Sequence, residues 1–111
     1  MNNQFSQTVL AINESVTSGP GESNAALRAE ITHYAQALTL EREPDADHIP
    51  EALRPYLDKV IRYAYKTTDA DVEHLKRLGY SEDDLFELTI SAAFGAGYAR
   101  FQQGLSLLEQ N

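Results

Sequence analysis

One segment constrains the fold more than any other: residues 81–109 carry no proline and begin with the signals of a helix N-terminus. Ser81 is a residue type that caps helices, and the acidic run at 82–84 has the charge that a helix N-terminus favours. The centre of the segment, residues 91–97, is almost entirely small, so another backbone can come close to it. We therefore predict one long helix that is either the buried centre of a bundle or a seam between subunits.

Two segments near the start of the chain place apolar residues on one face at helical spacing, which predicts amphipathic helices. The first covers residues 3–17 and is ended by the run 18–21 (SGPG), because glycine and proline break helices. The second begins at Ser23 or Asn24 as N-cap and continues to about Leu40. Their apolar stripes are Phe5, Val9, Ile12 and Val16 in the first helix, and Leu27, Ile31, Tyr34 and Leu38 in the second.

Two more helices are predicted before the long one. The third starts near Pro50, where the missing N–H of proline costs least, and the fourth is a short helix over residues 69–78 that Gly79 ends. Thr68 and Asp71 have the spacing of a capping box at its start. No segment alternates as a strand does, so the sequence predicts an all-α bundle of about five helices. The expected inward residues are Leu53, Leu57, Val60 and Ala64 in the third helix, and Val72, Leu75 and Leu78 in the fourth.

The length of 111 residues predicts a single domain over residues 1–111. Residues 41–50 (EREPDADHIP) are polar and acidic and contain two prolines, so we interpret them as a solvated connection. This connection divides the domain into an N-terminal helical hairpin, residues 1–43, and a core, residues 49–111.

Composition excludes several classes of function. The chain has no cysteine, and therefore no disulfide, no thiolate nucleophile and no cysteine-ligated metal. Nine Lys and Arg against seventeen Asp and Glu give a net charge of −8, which disfavours binding to nucleic acid or to an anionic membrane. The three histidines, His33, His48 and His74, do not share a spacing that suggests a metal site, so we expect neither metal nor cofactor.

The location expected from the sequence is the cytoplasm. The first twelve residues lack the basic region and the long apolar run of a signal peptide. No apolar stretch approaches the roughly 18 residues that a membrane-spanning helix needs.

Three features of residues 49–108 occur in the same order in a known family. A helix ends in the region 64–71; a short helix closes on the junction 78–84 (LGYSEDD); and Phe86-Glu87-Leu88 then leads into the small-residue run 92–97. This arrangement resembles the carboxymuconolactone decarboxylase and alkylhydroperoxidase D-like superfamily. The resemblance implies an alkylhydroperoxidase D-like helical bundle that assembles as a homotrimer or homohexamer.

The peroxidase members of that family use two cysteines and a histidine upstream of the junction glycine. Counted back from Gly79, those places hold Ala64, Thr67 and Asp71. A dithiol peroxidase needs one thiolate to attack the peroxide and a second thiol to resolve the sulfenic acid, so this activity is excluded. In the decarboxylase branch the resemblance gives the histidine position a role in proton transfer, and Asp71 stands there in this chain.

One hypothesis therefore makes the chain an enzyme with cofactor-independent acid–base chemistry on a small anionic or carbonyl compound. Asp71 would transfer the proton, with Asp69 as the nearest like charge, and Tyr65 would polarise the substrate. Lys66 or Arg62 would hold the anion. His74 and Glu87 complete the predicted substrate pocket, and Glu87 could instead form a structural ion pair with Arg62 or Lys66.

The alternative hypothesis is a non-catalytic oligomeric or partner-binding helical module whose active site has decayed. In it, Asp69 and Asp71 only satisfy a helix N-terminus, while Arg62 and Lys66 are solvated. Arg100 could bind an acidic residue across a subunit interface. A weaker possibility is an acidic adaptor that binds a basic partner through residues 41–47, in a salt-sensitive manner.

Overall fold

The computed structural model describes residues 24–109, and these contain four α-helices and no strand. The prediction of an all-α fold is confirmed for this part of the chain, whereas the helix predicted at residues 3–17 lies outside the described residues. The helices are α1 (Ala25–Thr39), α2 (Arg54–Arg62), α3 (Asp69–Arg77) and α4 (Glu82–Glu109), with single 3-10 turns at Glu51–Leu53 and Ala64–Lys66.

Helix α1 is capped by Asn24, one of the two residues predicted as its cap. The Asn24 side-chain oxygen accepts hydrogen bonds from the backbone N–H groups of Ala26 at 2.7 Å and Leu27 at 3.3 Å. These bonds satisfy donors that have no partner inside the helix.

A side-chain hydrogen bond connects α1 to α2: the Tyr34 hydroxyl donates to Asp58 Oδ1 at 2.6 Å. Burial, together with this carboxylate, raises the pKa of Tyr34 to about 12, so the phenol stays protonated.

Helices α1 and α4 pack closely because small residues line their contact. A Cβ added at Gly95 would lie 2.5 Å from the Thr32 carbonyl oxygen and 2.9 Å from the Ala35 Cβ, so only glycine fits there. The Thr32 hydroxyl lies 3.0 Å from the Arg28 carbonyl oxygen and 3.3 Å from the Ser91 carbonyl oxygen. The prediction that the small-residue run is a buried centre is confirmed for this face of α4.

The core is continuous through all four helices. Ile49 is only 4% exposed. The connection 41–50 was predicted to be solvated, and this prediction is wrong for Ile49. The other large buried apolar residues are Ile31, Tyr34, Leu53, Leu57, Ile61, Leu75, Leu85 and Leu88.

The third predicted helix is shorter than the sequence suggested. Tyr63, with φ −142° and ψ 57°, ends α2 after Arg62, and the following 3-10 turn leaves Ala64 exposed. The prediction that Ala64 is buried is therefore wrong, since the periodicity of α2 does not continue through Tyr63. Ile61 takes the buried place instead.

The junction between α3 and α4 follows the predicted signals. Gly79 has φ 108°, a left-handed conformation that favours glycine, and it turns the chain after Leu78. Ser81 and Asp84 then cap α4 reciprocally, with backbone-to-side-chain bonds of 3.0 and 3.2 Å. Leu78 is 53% exposed because the turn begins there, so the prediction that it points inward is wrong.

None of the helices in residues 24–109 combines the length and the apolar character that crossing a membrane requires.

Candidate functional site

Asp71, the predicted proton-transfer group, is engaged by the start of its own helix. Its carboxylate accepts from the Thr68 N–H at 2.9 Å, while the Thr68 hydroxyl accepts from the Asp71 N–H at 3.3 Å. This reciprocal pair is the predicted capping box. The Lys59 ammonium of α2 also donates to both carboxylate oxygens, at 3.0 and 3.1 Å.

These contacts determine the protonation state of Asp71. The hydrogen bond from Lys59 and the bond from the Thr68 backbone lower the pKa of the carboxyl below its ordinary value, and they outweigh the opposing effect of burial. A general base that works near neutral pH needs a raised carboxyl pKa. The contacts of Asp71 therefore favour a permanent anion that joins α2 to α3.

The other predicted catalytic residues do not gather around Asp71. Lys66 lies over the Tyr63 ring, with its ammonium 4.8 Å from the ring centroid. Tyr65 is 81% exposed and meets the edge of Tyr63, and Asp69 is exposed in the first turn of α3. The cation that binds Asp71 is Lys59 of α2, which was not among the predicted site residues. Catalysis by this set stays a prediction.

The predicted substrate-binding residues are distributed over three helices. His74 is exposed in the last turn of α3, and Glu87 is half-buried on α4. Arg62, at the end of α2, lines a cavity of about 410 Å³ together with Arg100 and Tyr63. The structure thus brings together two arginines that the sequence placed in separate hypotheses.

A second feature is the outer face of α4, the apolar side of this helix next to its contact with α1, from which Tyr98 also reaches a groove shared with α1. A cavity of about 470 Å³ on the outer face is almost entirely apolar. The Phe94 ring stacks on the Tyr98 ring at a centroid distance of 5.8 Å. The lining residues are Ile90, Ala93, Phe94, Gly97, Tyr98 and Phe101.

Exposed apolar residues continue this outer face along the helix. Phe86 is 66% exposed, Ile90 38% and Leu108 67%. Their spacing corresponds to one face of a helix. This face was not predicted from the sequence, because the small residues 91–97 lie on both sides of the helix and their run alone does not separate the side toward α1 from the other.

The glycines of α4 distinguish the two sides. The described residues explain Gly95, since a Cβ there would collide with α1. By contrast, a Cβ added at Gly97 or at Gly104 meets no described atom within 4 Å, apart from neighbours in the same helix turn. Glycine inside a helix destabilises it by about 0.5–1 kcal/mol relative to alanine. The described part of the chain therefore offers no packing reason for glycine at position 97.

Residues 24–109 contain no group of three or more histidine, aspartate or glutamate side chains that could hold a metal ion. No protein-family model matches the chain, and no curated protein or solved structure matches it either.

Proposed function

We propose that this chain is a non-catalytic helical module that assembles with a second copy of itself through the outer face of α4. The observation that carries the proposal is Gly97, a glycine inside an exposed apolar helix face that no described atom approaches. A helix from another subunit would supply the close contact that such a glycine permits.

The acid–base hypothesis has weaker support. Its central residue, Asp71, caps α3 and pairs with Lys59, and both contacts lower the pKa of the carboxyl. Its anion clamp and its polarising phenol, Lys66 and Tyr65, lie on the exposed 3-10 turn after α2.

The pattern of large and small residues on the outer face is complementary to itself. If two copies of α4 pack antiparallel around a twofold axis between residues 95 and 96, large residues of one copy meet small residues of the other. Phe94 would lie opposite Gly97 of the second copy, and Ala93 opposite Tyr98. A twofold interface requires this reciprocity, since each contact occurs twice.

The same register pairs the large apolar residues farther from the axis. Ile90 would lie opposite Phe101, and Phe86 opposite Leu105. Burial of exposed apolar area provides the driving force, at about 25 cal/mol per Å². The exposed fractions of Phe86 and Ile90 show that both side chains have area left to bury.

Membership of the carboxymuconolactone decarboxylase-like family is part of this proposal. The order of the short helix α3, the turn at Gly79 and the capped helix α4 supports it. The resemblance implies a homotrimer or a homohexamer. A twofold contact between α4 helices is compatible with a hexamer of dihedral symmetry, which contains twofold axes, but not with a simple cyclic trimer.

The test is the mass of the full chain in solution, measured by sedimentation velocity over a range of concentrations. We expect the wild type to be a dimer or a larger even assembly. Ala93→Glu places a charge at the centre of the outer face, at an exposed position where the subunit itself tolerates it, and should dissociate the assembly. Gln103→Glu, which adds a charge at an exposed site of α4 away from that face, should leave the mass unchanged.

Two results would overturn the proposal. One is an assembly that Ala93→Glu and Gln103→Glu leave equally intact, because the contact would then lie elsewhere. The other is a monomeric wild type that Ala93→Glu destabilises by more than Gln103→Glu does. That result would show that the outer face is covered within the chain, by residues 1–23.

A further inference from the structure

The cavity at Arg62 and Arg100 differs in character from the outer face of α4. It lies where α1 and α2 end, beside the middle of α4, and has a volume of about 410 Å³. Leu38 contributes apolar surface to it, and Ile61 lies almost wholly buried behind, so most of the lining is polar. The polar residues that line it are Thr39, Glu41, Arg62, Tyr63 and Arg100.

Both arginines of this cavity have unused hydrogen-bond donors. Within residues 24–109, neither Arg62 nor Arg100 forms an ion pair or a side-chain hydrogen bond. Among the other basic residues, Lys59 lies 3.0 Å from Asp71 and Lys76 lies 3.1 Å from Glu82, whereas Arg42, Lys66 and Arg77 form no ion pair with a described residue. Arg62 and Arg100 are therefore distinguished by the cavity that they share.

The ends of two helices account for part of this arrangement. Helix C-termini carry partial negative charge and favour nearby cations. That effect holds Arg62 at the end of α2. It does not account for Arg100, which lies well before the end of α4. Nor does the charge of a helix end use the planar set of N–H donors with which a guanidinium group binds carboxylates.

Thr39 provides an independent observation at the wall of the cavity. Its hydroxyl is buried and has no hydrogen-bond partner among the described residues. The hydroxyls of Thr32, Thr89 and Ser91, which also lie in helices, each donate to the carbonyl one turn earlier. A buried polar atom without a partner is destabilising. A ligand in the cavity could relieve this only if the Thr39 side chain turned toward the cavity, because its hydroxyl is not accessible in its present position.

The rim of the cavity adds one opposing charge. Glu41 lines it in a left-handed backbone conformation, with φ 57°. Two arginines against one glutamate leave a net charge of +1 in a molecule of net charge −8. The charged residues that line the cavity therefore sum to a positive charge, although the protein as a whole is acidic. An anion that binds there must be small enough to keep its distance from Glu41.

We infer that this cavity binds a small organic monocarboxylate. The guanidinium groups of Arg62 and Arg100 bind the carboxylate, and Leu38 and the Tyr63 ring contact its hydrocarbon part. Ligand pockets of about 300–1,000 Å³ are the usual size for small molecules, so the volume is adequate. The inference is independent of the assembly proposed above, since none of the residues that line this cavity belongs to the outer face of α4.

The experiment uses the full chain and benzoate as probe, followed by ¹H–¹⁵N NMR titration. We expect saturable shifts at the backbone amides of Thr39, Tyr63 and Arg100. Arg62→Gln and Arg100→Gln should each weaken binding about 10-fold or more, because a hydrogen bond to a charged group contributes about 1.5–3 kcal/mol. Arg77→Gln removes an exposed arginine outside the cavity and should bind benzoate as the wild type does.

The matched probes decide between ligand classes. Benzyl alcohol has the same ring without the charge and should not bind, whereas inorganic phosphate has the charge without the ring and should bind more weakly than benzoate. Tighter binding of phosphate, with the same dependence on both arginines, would overturn the carboxylate assignment. No saturable binding of benzoate, or binding that Arg62→Gln and Arg100→Gln leave unchanged, would overturn the site altogether.

Discussion

The two faces of α4 use similar residues for different purposes. Toward α1, Gly95 lets two helices of one chain approach so closely that a Cβ would lie 2.5 Å from the Thr32 carbonyl oxygen. On the outer face, Gly97 has the same lack of a side chain but no described neighbour. The comparison shows that a small-residue helix can form a core contact on one side while leaving a second contact of the same kind open on the other.

The largest expected effect separates the two faces by deleting apolar side chains. Leu88 is 1% exposed on the face toward α1, so Leu88→Ala should lower the free energy of unfolding by about 2–5 kcal/mol, through lost burial and the cavity left behind. Ile90 is 38% exposed, so Ile90→Ala should cost less than about 1 kcal/mol in dilute, dissociated protein. Urea unfolding at low protein concentration measures both. Equal losses would mean that the outer face is as deeply buried as the face of α4 toward α1.

The next effect tests the close contact itself. Gly95→Ala would force the backbones of α1 and α4 apart, since the nearest obstacle is a carbonyl oxygen and not a flexible side chain. We expect a loss of about 1–3 kcal/mol in the free energy of unfolding. Gly104→Ala, measured like Gly95→Ala in dilute, dissociated protein, is the control, because a Cβ there meets no described atom within 4 Å outside its own helix turn. If Gly95→Ala stabilised the protein as Gly104→Ala should, the contact between α1 and α4 at Gly95 would be looser than described.

Local signals in the sequence were sufficient for much of the fold. Helix caps at Asn24, Thr68 and Ser81 and the turn at Gly79 depend on neighbours along the chain, and each was predicted correctly. The end of α2 at Tyr63 was not predicted, because neither proline nor glycine, the residues that break helices, occurs there.

The candidate sites depend on contacts between distant residues, and the sequence could not supply them. Asp71 was correctly assigned to a capping box, but its pairing with Lys59 requires α2 and α3 to meet. Arg62 and Arg100 are far apart in sequence and share one cavity only because α2 ends beside α4. The different surroundings of Gly95 and Gly97 likewise become visible only when α1 is in place.

A third prediction tests whether the contacts of Asp71, which join α2 to α3, stabilise the fold. Asp71→Asn should lower the free energy of unfolding at pH 7 by about 1 kcal/mol, the usual contribution of a helix cap. The folded-state pKa of this carboxyl lies below its ordinary value of 3.8. Its contribution is therefore complete above about pH 4 and is lost as the pH falls through the lower folded-state pKa.

The measurement for Asp71 is the difference in unfolding free energy between wild type and Asp71→Asn from pH 7 down to about pH 2.5. The difference should be constant near neutral pH and shrink under acidic conditions. A difference that is largest in acid, or that changes near pH 6–7, would indicate a raised pKa. It would return Asp71 to consideration as a general base.

The smallest effect is the most informative about the outer face, because its sign should differ between two measurements on one variant. In the dissociated subunit, Gly97→Ala removes a helix-destabilising glycine where a Cβ has room, so the free energy of unfolding should rise by about 0.5–1 kcal/mol. In the assembly, the added methyl group would occupy the place opposite Phe94 of the second copy, so sedimentation should show weaker association. A surface that merely tolerates glycine would give the first result without the second. A variant that both folds more stably and associates as tightly as the wild type would therefore contradict the antiparallel register, whereas opposite signs in the two measurements would support it.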